Sequence, residues 1–151
     1  FFDRELRTVA QSFSQPNHLG SLVETVPKAL EHYGLENLAE GDGIIVNNPY
    51  TGGVHLNDIS LIGPVFWQDE LVGYTACLAH HVDVGGGAPA SVGAFREVFQ
   101  EGIIIPPIKL VAGGEIDDDL GVGIAVGILS LADKMLGQSD RQYPAQVAGA
   151  E

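Results

Sequence analysis

Residues 58–81 read DISLIGPVFWQDELVGYTACLAHH, two apolar runs on either side of the polar break WQDE. Runs of this length and composition, parted by so short a break, predict two antiparallel strands joined by a hairpin. The hairpin constrains more than its own fold. It sets Asp58 at the start of one strand and His80 and His81 at the end of the other, so a regular ladder brings both ends to the same edge of a sheet. The flanking stretches HLND (residues 55–58) and HHVD (residues 80–83) then become neighbours.

Around this hairpin the chain predicts an α+β fold: a mixed, mainly antiparallel sheet with a few helices. FFDRELRTVAQSF reads as strand, turn and strand, with Asp3 to Glu5 as the turn, and SQPNHLGS reads as a loop broken by Pro16, Asn17 and Gly20. SLVETVPKALEHYG has helical spacing at Leu22, Val26, Ala29, Leu30 and Tyr33, closed by Gly34. Ser21 and Glu24 match a capping box, whereas Pro27 favours a start at Thr25. GDGIIV is a short β-branched run, and FREVFQEG allows one or two helical turns. IIIPPIKLVAGGE is a strand interrupted by Pro106 and Pro107, hence edge or bulged. DDDLGVGIAVGILSLADKML reads as a helix with acidic residues at its N-terminus, followed by a surface tail.

Composition excludes several classes. The 151 residues suit one domain, and seven basic against twenty acidic residues give a net charge of −13, which argues against nucleic acid and anionic membrane as partners. The single cysteine, Cys77, rules out an intrachain disulfide and is expected as a small buried hydrophobe. The longest uncharged apolar stretch, Leu120 to Ala132, is shorter than the ~20 residues that span a bilayer. With no basic stretch ahead of an apolar one at the start, the expected compartment is the cytoplasm. The chain opens at FFDREL without an initiator methionine, as a piece of a longer polypeptide or a cleavage product would.

Of the five histidines, His32 lies on the predicted helix and suits a helix end. The other four lie beside glycines or turns: His18, His55, His80 and His81. Three of these have an aspartate nearby, His55 with Asp58 and the pair His80–His81 with Asp83. Imidazole with carboxylate is the donor set of Zn²⁺, Mn²⁺ or Fe²⁺, and such sites keep positions open for chemistry. In an extended chain residues i and i+2 share a face, so parity groups His81 with Asp83 and turns His80 away. The competing reading is that these His–Asp pairs only hydrogen-bond each other. The glycines of TGG and VGGG serve either as turns or to let backbone approach a ligand. GGGAP is no phosphate loop and no G-x-S-x-G elbow occurs, so neither nucleotide binding nor a serine nucleophile is expected. Glu97 and Glu101 sit at the rim of a site or on a solvated face.

GDGIIVNNPYTGGVHLNDISLIGPVF, AHHVDVGG and FQEGIIIPPIKL, in that order, resemble the hydantoinase B / 5-oxoprolinase family, whose relatives include the alpha-type subunits of acetone and acetophenone carboxylases. VAQSFSQPNHLGSL resembles the family segment that ends His-Leu-Gly-Ser. The resemblance implies that residues 1–115 are a core segment of a larger fold, with 116–151 a divergent helical segment and tail, and it implies a small-molecule substrate. It also implies a hetero-oligomer with a hydantoinase A-type subunit that binds ATP, rather than ATP on this chain. The implied activity is ATP-dependent hydrolysis of a cyclic amide (a hydantoin, 5-oxoproline or a lactam), or else carboxylation of a ketone. It implies a divalent metal, Zn, Mn or Fe, held among His55, Asp58, His80, His81 and Asp83, with His18 and Asn48 near the substrate. Departures from the pattern are Asn48 in NNPY where a carboxylate is usual, Asn57 where proline is usual, and the Gly/Ala/Leu-rich stretch past Glu115. The other class to weigh is a non-catalytic assembly subunit with metal-free histidines.

Overall fold

The apolar runs become strands and the Leu/Val/Ala-spaced segment a helix. In the computed structural model, which describes residues 1–89, 93–124 and 127, the order is α1 (Pro16–Tyr33), β1 (Gly43–Val46), β2 (Asp58–Trp67), β3 (Glu70–His80), β4 (Ile108–Ala112) and β5 (Glu115–Ile116). The strands form one sheet in the order β3-β2-β1-β4-β5, and every pairing is antiparallel. The fold is α+β. The hairpin runs in register from Asp58 opposite His80 to Trp67 opposite Glu70, with one irregularity between Val65 and Phe66. Its loop is two residues, Gln68 and Asp69, at φ of 52° and 65°. That left-handed pair makes the type I′ turn, whose twist matches that of the strands it joins.

α1 starts earlier than the spacing predicts. SQPNHLGS is not a loop: Pro16 occupies the first helical turn, where its fixed φ suits a helix and its missing N–H loses nothing. Ser21 is no cap, since its hydroxyl is buried in the helix and donates to the carbonyl of His18 at 2.9 Å. Pro27 lies inside the helix and cannot donate to the Val23 carbonyl. Val23 is exposed, so water can serve that carbonyl. The early start carries His18 onto the helix.

The buried stripe of α1, Val26, Ala29 and Leu30, covers one face of the sheet and packs with Phe2, Ile44, Val46, Ile62 and Tyr74. Burying each large aliphatic side chain there contributes roughly 1.5–3 kcal/mol. The N-terminal segment makes single bridges, Phe2 to Thr8 and Phe2 to Tyr74, rather than two strands. Cys77 sits across from Leu61, and both are exposed, so the thiol is not the buried hydrophobe expected. It alternates with Ala76, which packs on the core, and so points away from α1.

Pro106 and Pro107 lie ahead of β4 rather than within it, and the β1–β4 register shifts between Gly43 and Ile44. Of FREVFQEG, only Val98–Gln100 makes a helical turn, capped by Glu97. The acidic run opens a helix at residues 118–124, with Asp117 Oδ1 accepting from the Leu120 amide at 2.9 Å. The rest of that expected helix, apart from residue 127, and the tail lie outside the described residues. No described helix is long and apolar enough to cross a membrane.

One buried charge ties β4 to the turn before β1. Asp42 accepts from Lys109 Nζ at 2.5 Å and from the amides of Ala39 and Gly113 at 2.8 and 3.1 Å. Burial opposes its charge, but the Lys109 ammonium and the two amides outweigh that and hold its pKa below the ordinary aspartate value. Folded Asp42 thus takes a proton less readily than unfolded Asp42. Its contribution is full above the unfolded pKa, about 3.9, and is lost as pH falls through the lower folded value. Urea stability followed from pH 6 downward is expected to drop below about pH 4, and to drop less in Asp42→Asn.

Candidate metal centre

At the open end of the hairpin, the last register pair sets the Asp58 carboxyl beside the His80 ring. His80 Nδ1 lies 2.6 Å from Asp58 Oδ1. The turn entering β2 curls so that the His55 amide and His55 Nδ1 each lie 3.1 Å from Asp58 Oδ2, while the Asp58 amide donates to the His55 carbonyl at 3.0 Å. From the first turn of α1, His18 Nε2 comes within 3.5 Å of Asp58 Oδ1. The His18 and His80 rings stack at 5.8 Å between centroids, and His55 meets His80 edge-on at 5.9 Å. One donor atom from each of His18, His55, Asp58 and His80 lies within 4.8 Å of the other three.

The Asp58 side chain has no solvent exposure, whereas the three rings are partly open. A buried carboxyl needs polar partners or a metal, and here its neighbours are imidazoles and one backbone amide. A tetrahedral site with bonds of about 2.1 Å sets its donors roughly 3.4 Å apart. The three imidazole contacts to Asp58, at 2.6, 3.1 and 3.5 Å, span that value, and three nitrogens with one oxygen suit Zn, Mn or Fe. The residues fit a divalent ion.

The other expected site residues, Asn48, His81 and Asp83, are not in this group. The ring facing Asp58 belongs to His80, where parity counted from Asp83 pointed to His81. β3 ends at His80, so the alternation that holds is the one counted across the ladder from Asp58. The His81 pKa is lowered, first by desolvation and then by repulsion from His80, although its residue surface is largely open. Asp83 Oδ1 accepts from the Gly85 amide at 2.8 Å and turns the chain into the glycine run. Asn48 Oδ1 accepts from the Tyr50 amide at 3.0 Å and caps the short turn Pro49–Thr51.

The glycines serve backbone packing. A side chain at Gly86 would drive its Cβ into the carbonyl oxygen of Glu101, because residues 84–87 run against 100–103. Gly52 has φ of 101° and sits against the α1 backbone at Thr25.

Two residues that residue-type reasoning passes over hold the site's loops. Asn47, buried at the end of β1, donates through Nδ2 to the carbonyls of Leu56 at 2.7 Å and Ile103 at 2.9 Å. Its Oδ1 accepts from the Ile105 amide at 2.6 Å. Asn57, also buried, donates to the His81 carbonyl at 2.7 Å. Asn47 is signalled in the sequence only by adjoining Asn48, and Asn57 only as a departure from the family's proline, which does not give its role.

The chain is similar to known proteins along most of its length. 5-Oxoprolinase 1 of Arabidopsis thaliana is 41% identical over 112 residues, which cover 74% of this chain and 9% of that protein. Caprolactamase subunit beta of Pseudomonas jessenii is 38% identical over 120 residues, 79% of this chain and 20% of that protein. The crystal structure of the ATP-dependent caprolactamase from that organism superposes with a TM-score of 0.64 at 32% identity, covering 89% of this chain and 26% of that one. The chain thus spans a fifth or less of these two curated relatives. The family model of hydantoinase B/oxoprolinase matches residues 1–151 from end to end, and the chain belongs to that family.

Proposed function

We propose that this chain is the metal-holding part of an ATP-dependent enzyme that hydrolyses a cyclic amide. The observation that carries the reading is Asp58, a fully buried carboxyl whose side-chain neighbours are three imidazoles from three separate segments. The names of its relatives, 5-oxoprolinase and ATP-dependent caprolactamase, support a ring amide as substrate. His55, Asp58 and His80 hold the ion, with His18 as the fourth donor. A divalent ion bound there supplies Lewis acidity for a carbonyl or for water. Asp58 fixes the rings of His55 and His80, and α1 shields the carboxyl from bulk water. We place Asn48, on the loop leading to His55, on the substrate side, and leave His81 and Asp83 to shape the adjoining turn. ATP belongs to a hydantoinase A-type partner subunit in this reading.

The test is metal content and activity together. The chain purified under metal-replete conditions is expected to carry about one equivalent of Zn, Mn or Fe, the occupancy of a single site that keeps a position open for water or a carbonyl. Assembled with an ATP-binding partner, it is expected to open 5-oxoproline or caprolactam in an ATP-dependent reaction that a chelator stops. A folded, metal-free chain would overturn the reading in favour of an assembly subunit.

A further inference from the structure

We propose that Asn57 and the peptide groups of His81 form a clamp that seats His80 on Asp58, so that residue 81 serves the centre through its backbone and not its imidazole. The inference rests on the metal reading of the cluster. In a hydrogen-bonded antiparallel pair the two residues exchange both N–H···O bonds. One position beyond the last ladder pair, His81 donates its amide to the Asn57 carbonyl at 2.8 Å. The reverse bond comes from a side chain: Asn57 Nδ2 donates to the His81 carbonyl at 2.7 Å.

The substitution has a local reason. The chain curls at this point so that the Asn57 carbonyl also accepts from Ile59, and the Asp58 amide turns to His55. The carboxamide of Asn57, only 1% exposed, makes the bond across the strand ends. Asp58 and His80 are the residues next to these two clamped positions, and their contact is short at 2.6 Å. Strand ends fray most readily at a terminal pair, and the clamp moves the free end one pair farther out. Asn57 touches no donor nitrogen of the cluster by any of these bonds. It is a positioning residue.

The experiment uses the 151-residue chain with Zn²⁺ as probe. It reads zinc affinity, amide hydrogen exchange at His81 and the ¹⁵N shifts of the His80 ring. Asn57→Asp keeps the shape but cannot donate to the His81 carbonyl. It is expected to weaken zinc binding about 10–100-fold, the usual effect of losing an outer partner of a ligand. It is also expected to speed exchange at the His81 amide and alter the His80 Nδ1 shift. Asn57→Ser, too short to reach, should do the same if the aspartate variant does not fold. His81→Ala keeps both backbone bonds and is expected to hold zinc within about threefold of the parent, far less than the loss of an outer partner. Unchanged zinc affinity and exchange in Asn57→Asp would sink the clamp, and so would a loss in His81→Ala as large as in His80→Ala. If the parent takes up no zinc, the metal reading fails by itself, while exchange and the His80 shift still decide the clamp.

Discussion

Asp58→Ala is expected to abolish stoichiometric metal binding, raising Kd by at least about 100-fold, more than the loss of a partner behind a ligand. The carboxyl is the common neighbour of His18, His55 and His80, and it has no exposed surface of its own. Without it the three rings lose both a donor and the group that orients them. Asp58→Asn separates the two roles. It keeps the volume and one acceptor oxygen but offers no carboxylate charge, so its Kd should rise about 10–100-fold. The metal-free protein should lose about 1–3 kcal/mol of stability, because the loss is limited to a few hydrogen bonds. Competition against a chromophoric chelator gives the affinities, and urea unfolding in excess chelator gives the stabilities. An Asp58→Ala protein that binds zinc like the parent would remove Asp58 from the centre.

The second large effect is expected at Asn47, whose role is architectural. Asn47→Ala leaves the carbonyls of Leu56 and Ile103 and the amide of Ile105 without their partner. Each buried polar group so orphaned costs about 1–3 kcal/mol, and a total of about 3–4 kcal/mol is expected once part of the loss is relieved by water. That is a large share of the 5–15 kcal/mol that holds a typical domain together. Asn47→Asp should be nearly as damaging. Its carboxylate can accept from Ile105 but cannot donate to two carbonyls. Because Leu56 adjoins His55, metal affinity should fall with stability in both variants. Urea unfolding decides it: a cost under about 1 kcal/mol, that of one ordinary hydrogen bond, would show that the three bonds are replaceable.

The two positions differ in how well they could be read beforehand. The hairpin was legible because its signal is local: two apolar runs and a polar break set the register, and the register brings Asp58 to His80. His55 followed from lying three residues before Asp58. His18 was harder, since its place depends on where α1 begins. Pro16 looks like a breaker until the first helical turn is recognised as the place where proline fits. The alternation argument for His81 failed to place its ring because it was counted within one strand end, whereas pairing across the ladder sets the face. Asn47 and Asn57 were hidden for a different reason. Their partners are backbone groups, those of Asn47 lying as far as 58 residues along the chain, and no residue-type pattern marks a carbonyl in need of a donor. Cys77 was misplaced because residue type and an apolar run do not say which face of the strand is covered. In this chain α1 covers one.

The two-residue turn at Gln68–Asp69 has a consequence far from where it lies. The ladder of ten pairs that it closes ends at the centre's own pair, Asp58 with His80, about 30 Å away at the usual rise of a strand. A strand's side chains alternate faces, so a change in that turn that slips the ladder by one residue, and is not absorbed as a longer loop, shifts the partner of Asp58 from His80 to a neighbour. The imidazole would then point to the opposite side of the sheet, although no residue near the centre had changed. The register set at a remote loop is thus part of the chemistry of this site.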